Sequence, residues 1–154
     1  MNSATIEVSH KPGVLDPAAQ GVLVDLRLIG QKTVKRVETA QLYKLVGKLS
    51  EAERTRAGEQ LLKDPVIQLS RVVVEEKLSE KSVVIDVWYK SGVTDVVGDS
   101  VLKGLRDIGI EGVSEVRTGS RFRLWGVRNS AEAQLIADTI LANPLIQDRI
   151  IHAS

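Results

Sequence analysis

The side chains in this sequence that could do chemistry are few. They are two histidines, two aspartates at matching places, and a strand carrying arginine and tryptophan. His10 and His152 have the one side chain that titrates near neutrality. Each falls at the end of a predicted strand, without a nearby carboxylate or ligand-spaced partner, so ordinary surface residues are expected. Asp16 and Asp95 stand just ahead of helical patterns, where helix capping accounts for them. A catalytic carboxylate pair would need convergence in space, which spacing alone does not reveal. Cysteine is absent, which excludes disulfides, thiolate nucleophiles and thiolate metal sites. There is no Walker loop, GxGxxG, His-x-x-x-His or nucleophile elbow. No catalytic residue, cofactor or metal is expected.

What remains is a recognition surface. Trp88 follows Val87 on a strand, so the two point to opposite faces. Along 121–126, Phe122 and Leu124 read as inward-facing, which sends Arg121, Arg123 and Trp125 to the other face. Arg117, earlier on the same stretch, joins these four as a candidate protein-interface residue. Trp and Arg are enriched at interface hot spots, which suits a contact within the chain, self-association or a partner subunit. Aromatics on central strands also stack bases in RNA-recognition modules. The net charge of +1 argues against that use, because phosphate neutralisation dominates such binding. The turns Lys11-Pro12-Gly13 and Lys90-Ser91-Gly92 leave open a small-molecule sensing site.

The elements that position this face come as a repeat. Gly13 and Gly92 lie 79 residues apart. The same offset pairs Val22-Leu23 with Val101-Leu102, Ile29-Gly30 with Ile108-Gly109, and Pro65-Val66-Ile67-Gln68 with Pro144-Leu145-Ile146-Gln147. One ungapped offset across nearly all of both halves points to duplication. The expected organisation is residues 1–75, a charged linker 76–81, and residues 82–154. In each copy a strand leads to a turn and then a helix, capped by Asp16 or Asp95, with Pro17 at its first position. A hairpin is expected over 34–47 and 113–126. A second helix follows, opened in the first copy by the capping box Ser50-Glu51-Ala52-Glu53, and then a last strand over 66–74 and 145–152. Each copy thus reads β-α-β-β-α-β, the split βαβ or ferredoxin-like order, and the fold class is α+β.

With 43% hydrophobic and 27% charged residues, the composition is that of a globular domain. The N-terminal stretch has no basic leader, and no run approaches the ~20 apolar residues of a membrane span. A soluble cytoplasmic protein with no membrane and no nucleic-acid partner is expected.

Three motifs then resemble the PurS family. Lys11-Pro12-Gly13-Val14-Leu15-Asp16-Pro17 is similar to the family's Lys-x-Gly-Val-Leu-Asp-Pro. Val113-Ser114-Glu115-Val116-Arg117-Thr118-Gly119 resembles its Val-x-x-Val-Arg-x-Gly, and Ile140-Leu141-Ala142-Asn143-Pro144-Leu145-Ile146-Gln147 its closing segment. The chain departs from these patterns at Ala40, Asp64, Thr94 and Val96. The resemblance implies a pseudo-dimer acting as the small structural part of phosphoribosylformylglycinamidine synthase, an ATP-dependent C–N ligase of purine synthesis, either as a free subunit or as the N-terminal part of a fused synthetase. It implies partners too: a synthetase subunit of PurL type and a glutaminase subunit of PurQ type, with ammonia passing between them. Self-association is expected, as is the absence of an active site in this chain.

Overall fold

The computed structural model describes residues 3–73 and 82–153; the 76–81 linker lies outside them. Alternating apolar residues form β1 (Ser3–His10) and β4 (Ser82–Tyr89), each followed by a turn and a helix, α1 (Pro17–Leu28) and α3 (Val96–Asp107). Asp16 and Asp95 cap these helices by accepting from the N–H groups of Ala19 and Gly98. Each carboxylate also accepts from the N–H and hydroxyl of a downstream threonine, Thr39 or Thr118, at 2.7–3.0 Å. The cap therefore ties the helix start to a strand as well as opening the helix.

The segments read as hairpins are not hairpins. They are single long strands, β2 (Arg36–Gly47) and β5 (Val113–Trp125). Between Val37 and Leu45 there is no Gly, Pro, Asn or Asp, so nothing there offers the backbone a tight reversal. Gly119 occupies the middle of β5 but keeps a negative φ. After β2 comes α2 (Glu51–Arg56), with its capping box formed by Ser50 and Glu53. It continues as a wider π turn, Ala57–Leu62, before β3 (Gln68–Val72). In the second copy α4 (Ser130–Ile136), capped by Asn129, continues as the π turn Ala137–Leu141 and leads to β6 (Gln147–Ala153).

Each copy therefore contributes three strands instead of four, and the ferredoxin-like units arise by exchange. Strands neighbour one another in the order β3-β1-β2-β5-β4-β6. β1 pairs antiparallel with β2 only from Ala40 to Val46, which leaves the first part of β2 for another partner. Two compact units result. Unit 1 takes the described residues of Met1–Val14, Ala40–Glu75 and Gly92–Gly119; unit 2 takes those of Leu15–Thr39, Glu76–Ser91 and Ser120–Ser154. In unit 1 the split βαβ roles are filled in turn by β1, α3, the first part of β5, the second part of β2, α2 and β3. In unit 2 they are filled by β4, α1, the first part of β2, the second part of β5, α4 and β6. The α+β class and the two ferredoxin-like units stand as expected. Their membership is mixed.

The cores record the exchange. In unit 1, Ile6, Val8, Leu45, Leu49 and Ala57 of the first copy pack with Leu105, Ile110, Val113 and Val116 of the second. In unit 2, Ala19, Val22, Leu26, Val34 and Val37 pack with Ile85, Val87, Leu124, Ile136 and Ala137. Arg56 donates to the Ile108 carbonyl at 2.5 Å, so a side chain of the first copy closes the α3 end of the second. Gly47 and Gly126 end the two long strands at φ of 138° and 107°. A methyl group there would collide with the carbonyl of Gly112 or of Thr33, so both the backbone angle and the close approach require glycine.

The entry to β2 is polar in unit 2. Gln31 is buried and accepts through Oε1 from the N–H groups of Thr33 and Val34, both at 2.9 Å. Its amide donates to Glu132 at 2.7 Å, and Glu132 also binds the Arg128 guanidinium. At the equivalent places unit 1 has apolar Ile110 and Leu49.

Two outcomes follow. Residues 1–75 expressed alone lack four of the core side chains of unit 1 and five of those of unit 2; at roughly 1.5–3 kcal/mol for each of the larger ones, the loss is comparable with the whole stability of a small domain. Light scattering and circular dichroism should find the fragment unfolded or self-paired, and mixing it with residues 82–154 should restore a one-to-one complex. A folded monomer of either fragment contradicts the exchange. Hydrogen bonding from Arg128 holds the Glu132 carboxyl below the usual carboxylate range. Its stabilising effect is therefore present above an unfolded-state value of about 4.3 and disappears as the pH falls below it. Urea denaturation should show wild type losing more stability than Glu132→Gln on acidification; equal losses would remove Glu132 from the account.

Candidate functional site

Four of the five expected interface residues, Trp88, Arg121, Arg123 and Trp125, lie in unit 2, and Arg117 lies in unit 1. In β4, Ile85 and Val87 belong to the core under the helices. Strand alternation then places Val84, Asp86 and Trp88 on the opposite face. In β5, Leu124 and Phe122 pack against the same core, so Arg121, Arg123 and Trp125 share the face with Trp88. The sidedness read from the sequence is the sidedness observed.

The environment of Arg121 was not legible beforehand. Instead of standing in solvent it is 7% exposed, and Asp86 beside it is 4% exposed. Its Nε donates to Asp86 Oδ1 at 2.7 Å and its Nη2 to Oδ2 at 2.9 Å. This is the two-pronged guanidinium–carboxylate geometry that makes a charge pair directional. His152 Nε2 lies 3.2 Å from Asp86 Oδ2, so the expectation that this histidine lacks a carboxylate is corrected. The register explains it: β4 and β6 pair Val84 with His152 and Asp86 with Ile150. Asp86 and His152 are thus diagonal neighbours on one face, although 66 residues apart in sequence. One signal pointed to the cluster, a charge at Asp86 inside the apolar run Val83-Val84-Ile85-Asp86-Val87.

Around this fixed centre the aromatic groups are half-buried. Arg36, at the start of β2, places its guanidinium 4.1 Å from the Trp125 ring centroid and pairs with Glu38 at 2.6 Å. With the Arg36 side chain 63% exposed, such a contact is worth about 0.5–1 kcal/mol. Trp88 and Arg123 are half-buried as well. Unit 1 has a different solution at the matching positions. Glu7 is buried and pairs with Arg71 on the edge strand, Leu42 is fully buried where Arg121 stands, and Ser9 and Val46 replace the tryptophans. The repeated turns are engaged locally. The Lys11 N–H donates to Ile67 and its Nζ to the Pro65 carbonyl at 2.7 Å, while the Lys90 N–H donates to Ile146. The face of unit 2 presents indole surface, guanidinium groups and one imidazole, which is the chemistry of recognition.

A tandem duplication that exchanges strands and helices to build two ferredoxin-like units defines the class of this protein. A family model for PurS, described as phosphoribosylformylglycinamidine (FGAM) synthase, matches residues 3–76 and again 82–154. The chain belongs to the PurS family and carries it twice. The phosphoribosylformylglycinamidine synthase subunit PurS of Archaeoglobus fulgidus is 38% identical over an alignment of 78 residues that covers 47% of this chain and 98% of that protein. The subunit of the same name from Mycobacterium leprae is 33% identical over 67 residues, 42% of this chain and 85% of that protein. One such relative thus corresponds to about half of this chain.

Removing one member of the buried pair leaves the other charge without its partner, at a cost of about 3–5 kcal/mol. Asp86→Asn should lower the unfolding free energy by that order, and Arg36→Ala by about 1 kcal/mol or less. Chemical denaturation of the two variants checks this, and comparable losses would mean that Asp86 does not anchor the face.

Proposed function

We propose that this chain is a structural subunit of phosphoribosylformylglycinamidine synthase in de novo purine biosynthesis. In this reading it couples a glutaminase subunit to the ATP-dependent synthetase subunit in the cytoplasm. The observation that carries the proposal is the double match to PurS, once in each copy, by a chain about as long as two PurS subunits. Its two functional parts are residues 1–75 and 82–154, joined through 76–81. Holding a glutaminase beside a synthetase raises the local concentration of ammonia without any catalytic group on the bridge. The half-buried Trp88, Trp125 and Arg123 of unit 2 supply a surface that docks a partner or a second copy, and Arg117 supplies a contact of its own on unit 1. Arg121 acts beneath them by fixing the strand through Asp86.

The test is the synthetase rate of the matching synthetase and glutaminase subunits, with and without this chain, using glutamine and then ammonium as nitrogen donor. The glutamine-dependent rate should fall by at least about tenfold without the chain, and the ammonium-dependent rate should change little. Trp88→Ala combined with Trp125→Ala should reproduce that loss and weaken co-elution while circular dichroism stays unchanged. If neither rate responds and the three proteins do not co-elute, the coupling role is wrong. If the double variant couples normally, the interface lies elsewhere.

A further inference from the structure

The helices of the two units have different outer faces. In α1, Pro17, Gly21, Val24 and Leu28 recur at helical spacing, which sets them on one side. Ala19, Val22 and Leu26 take the opposite side and enter the core of unit 2. The outward stripe is therefore uncharged along its length, with Val24 52% and Leu28 79% exposed. A surface helix normally turns polar and charged residues to that side.

The other copy shows what the fold itself demands there. At the offset of 79 residues, Ser100, Lys103 and Asp107 of α3 match Gly21, Val24 and Leu28. Arg56 of α2 likewise matches Leu135 of α4, which is 60% exposed. Arg56 reaches the Ile108 carbonyl at the end of α3, and the matching place for Leu135 is Ile29 at the end of α1. Val24, Leu28, Ile29 and Leu135 thus form one exposed apolar region. Unit 1 carries Lys103, Asp107 and Arg56 at three of those four places. Apolar regions of this kind on a soluble surface mark contacts.

The start of α1 differs from its counterpart in the other direction. Pro17 and Ala18 stand where unit 1 exposes Val96 and Val97, so this half of the α1 face is low. A methyl group on Gly21 would meet nothing within 4 Å, whereas one on Gly98 or Gly104 of α3 would strike the Val116 carbonyl or Leu61. Glycine weakens a helix interior, and at Gly21 no contact within the chain requires it. The face is therefore low at Pro17 and Gly21 and raised at Val24 and Leu28.

We propose that this face of unit 2 binds the same face of a second copy, with the two α1 helices antiparallel about a two-fold axis. One register sets Leu28 against Pro17 of the second copy and Val24 against Gly21 of the second copy. The raised half of each helix then fills the low half of the other, twice over, as a self-complementary contact requires. In the same register Asp25 lies level with Gln20 of the second copy and Arg27 with Ala18 of the second copy, so no like charges are opposed. The contact lies on the helix side of unit 2, opposite the Trp88 and Trp125 face, and makes no use of the coupling role.

Sedimentation velocity of the whole chain, from about 1 μM to about 1 mM, should show monomers giving way to dimers. Val24→Lys with Leu28→Asp, which installs the residues of α3, should weaken dimerisation by about tenfold or more. Gly21→Leu, which fills the low half of the face, should weaken it too, and circular dichroism should stay unchanged in both variants. Trp88→Ala with Trp125→Ala should dimerise as the wild type does. The proposal is overturned if the wild type stays monomeric throughout, or if either α1 variant dimerises like the wild type. It is overturned as well if the tryptophan variant abolishes the dimer, which would assign self-association to the other face. Should an α1 variant fail to fold, Leu135→Arg on the neighbouring helix reads the same loss.

Discussion

The fold depends on two strands that do not turn. β2 and β5 each run 12 or 13 residues without a reversal, and each serves one unit with its first part and the other with its second. Everything else follows from that. Each unit takes one of its two helices from each copy, each core is built about equally from both, and neither copy holds the apolar side chains to close a core alone. Duplication in one chain makes this exchange intramolecular, so the two halves meet at a high effective concentration and without the entropy cost of association.

Identical topology did not require identical chemistry. The buried acid on the first strand of each copy, Glu7 or Asp86, finds its arginine on a different neighbour. Arg71 comes from the edge strand, and Arg121 from the central one. At the start of the long strands, unit 1 packs Ile110 and Leu49 where unit 2 builds a network from Gln31, Glu132 and Arg128. Burial of a charge is tolerated only with a partner held in good geometry. A substitution at one such position therefore demands a matching one on another strand, and the two copies have settled on different matched sets. That divergence gives unit 2 its indole and guanidinium face.

The sequence by itself determined the duplication, the helix starts and the sidedness of the strands. Asp16, Asp95, Ser50 and Pro17 act through neighbours a few residues away, so their roles are written locally. Period-two alternation assigned Phe122 and Leu124 to one face and Arg121, Arg123 and Trp125 to the other, because a strand has only two faces. The hairpin reading failed because a β-β step was expected along the chain, while residues 37–45 lacked the turn chemistry to make one. Tertiary structure alone decided which copy supplies each half-strand, and that Asp86 would meet both Arg121 and His152. Pairing across strands is set by register and by the burial of whole faces, and it joins residues whose separation in sequence carries no mark of their contact.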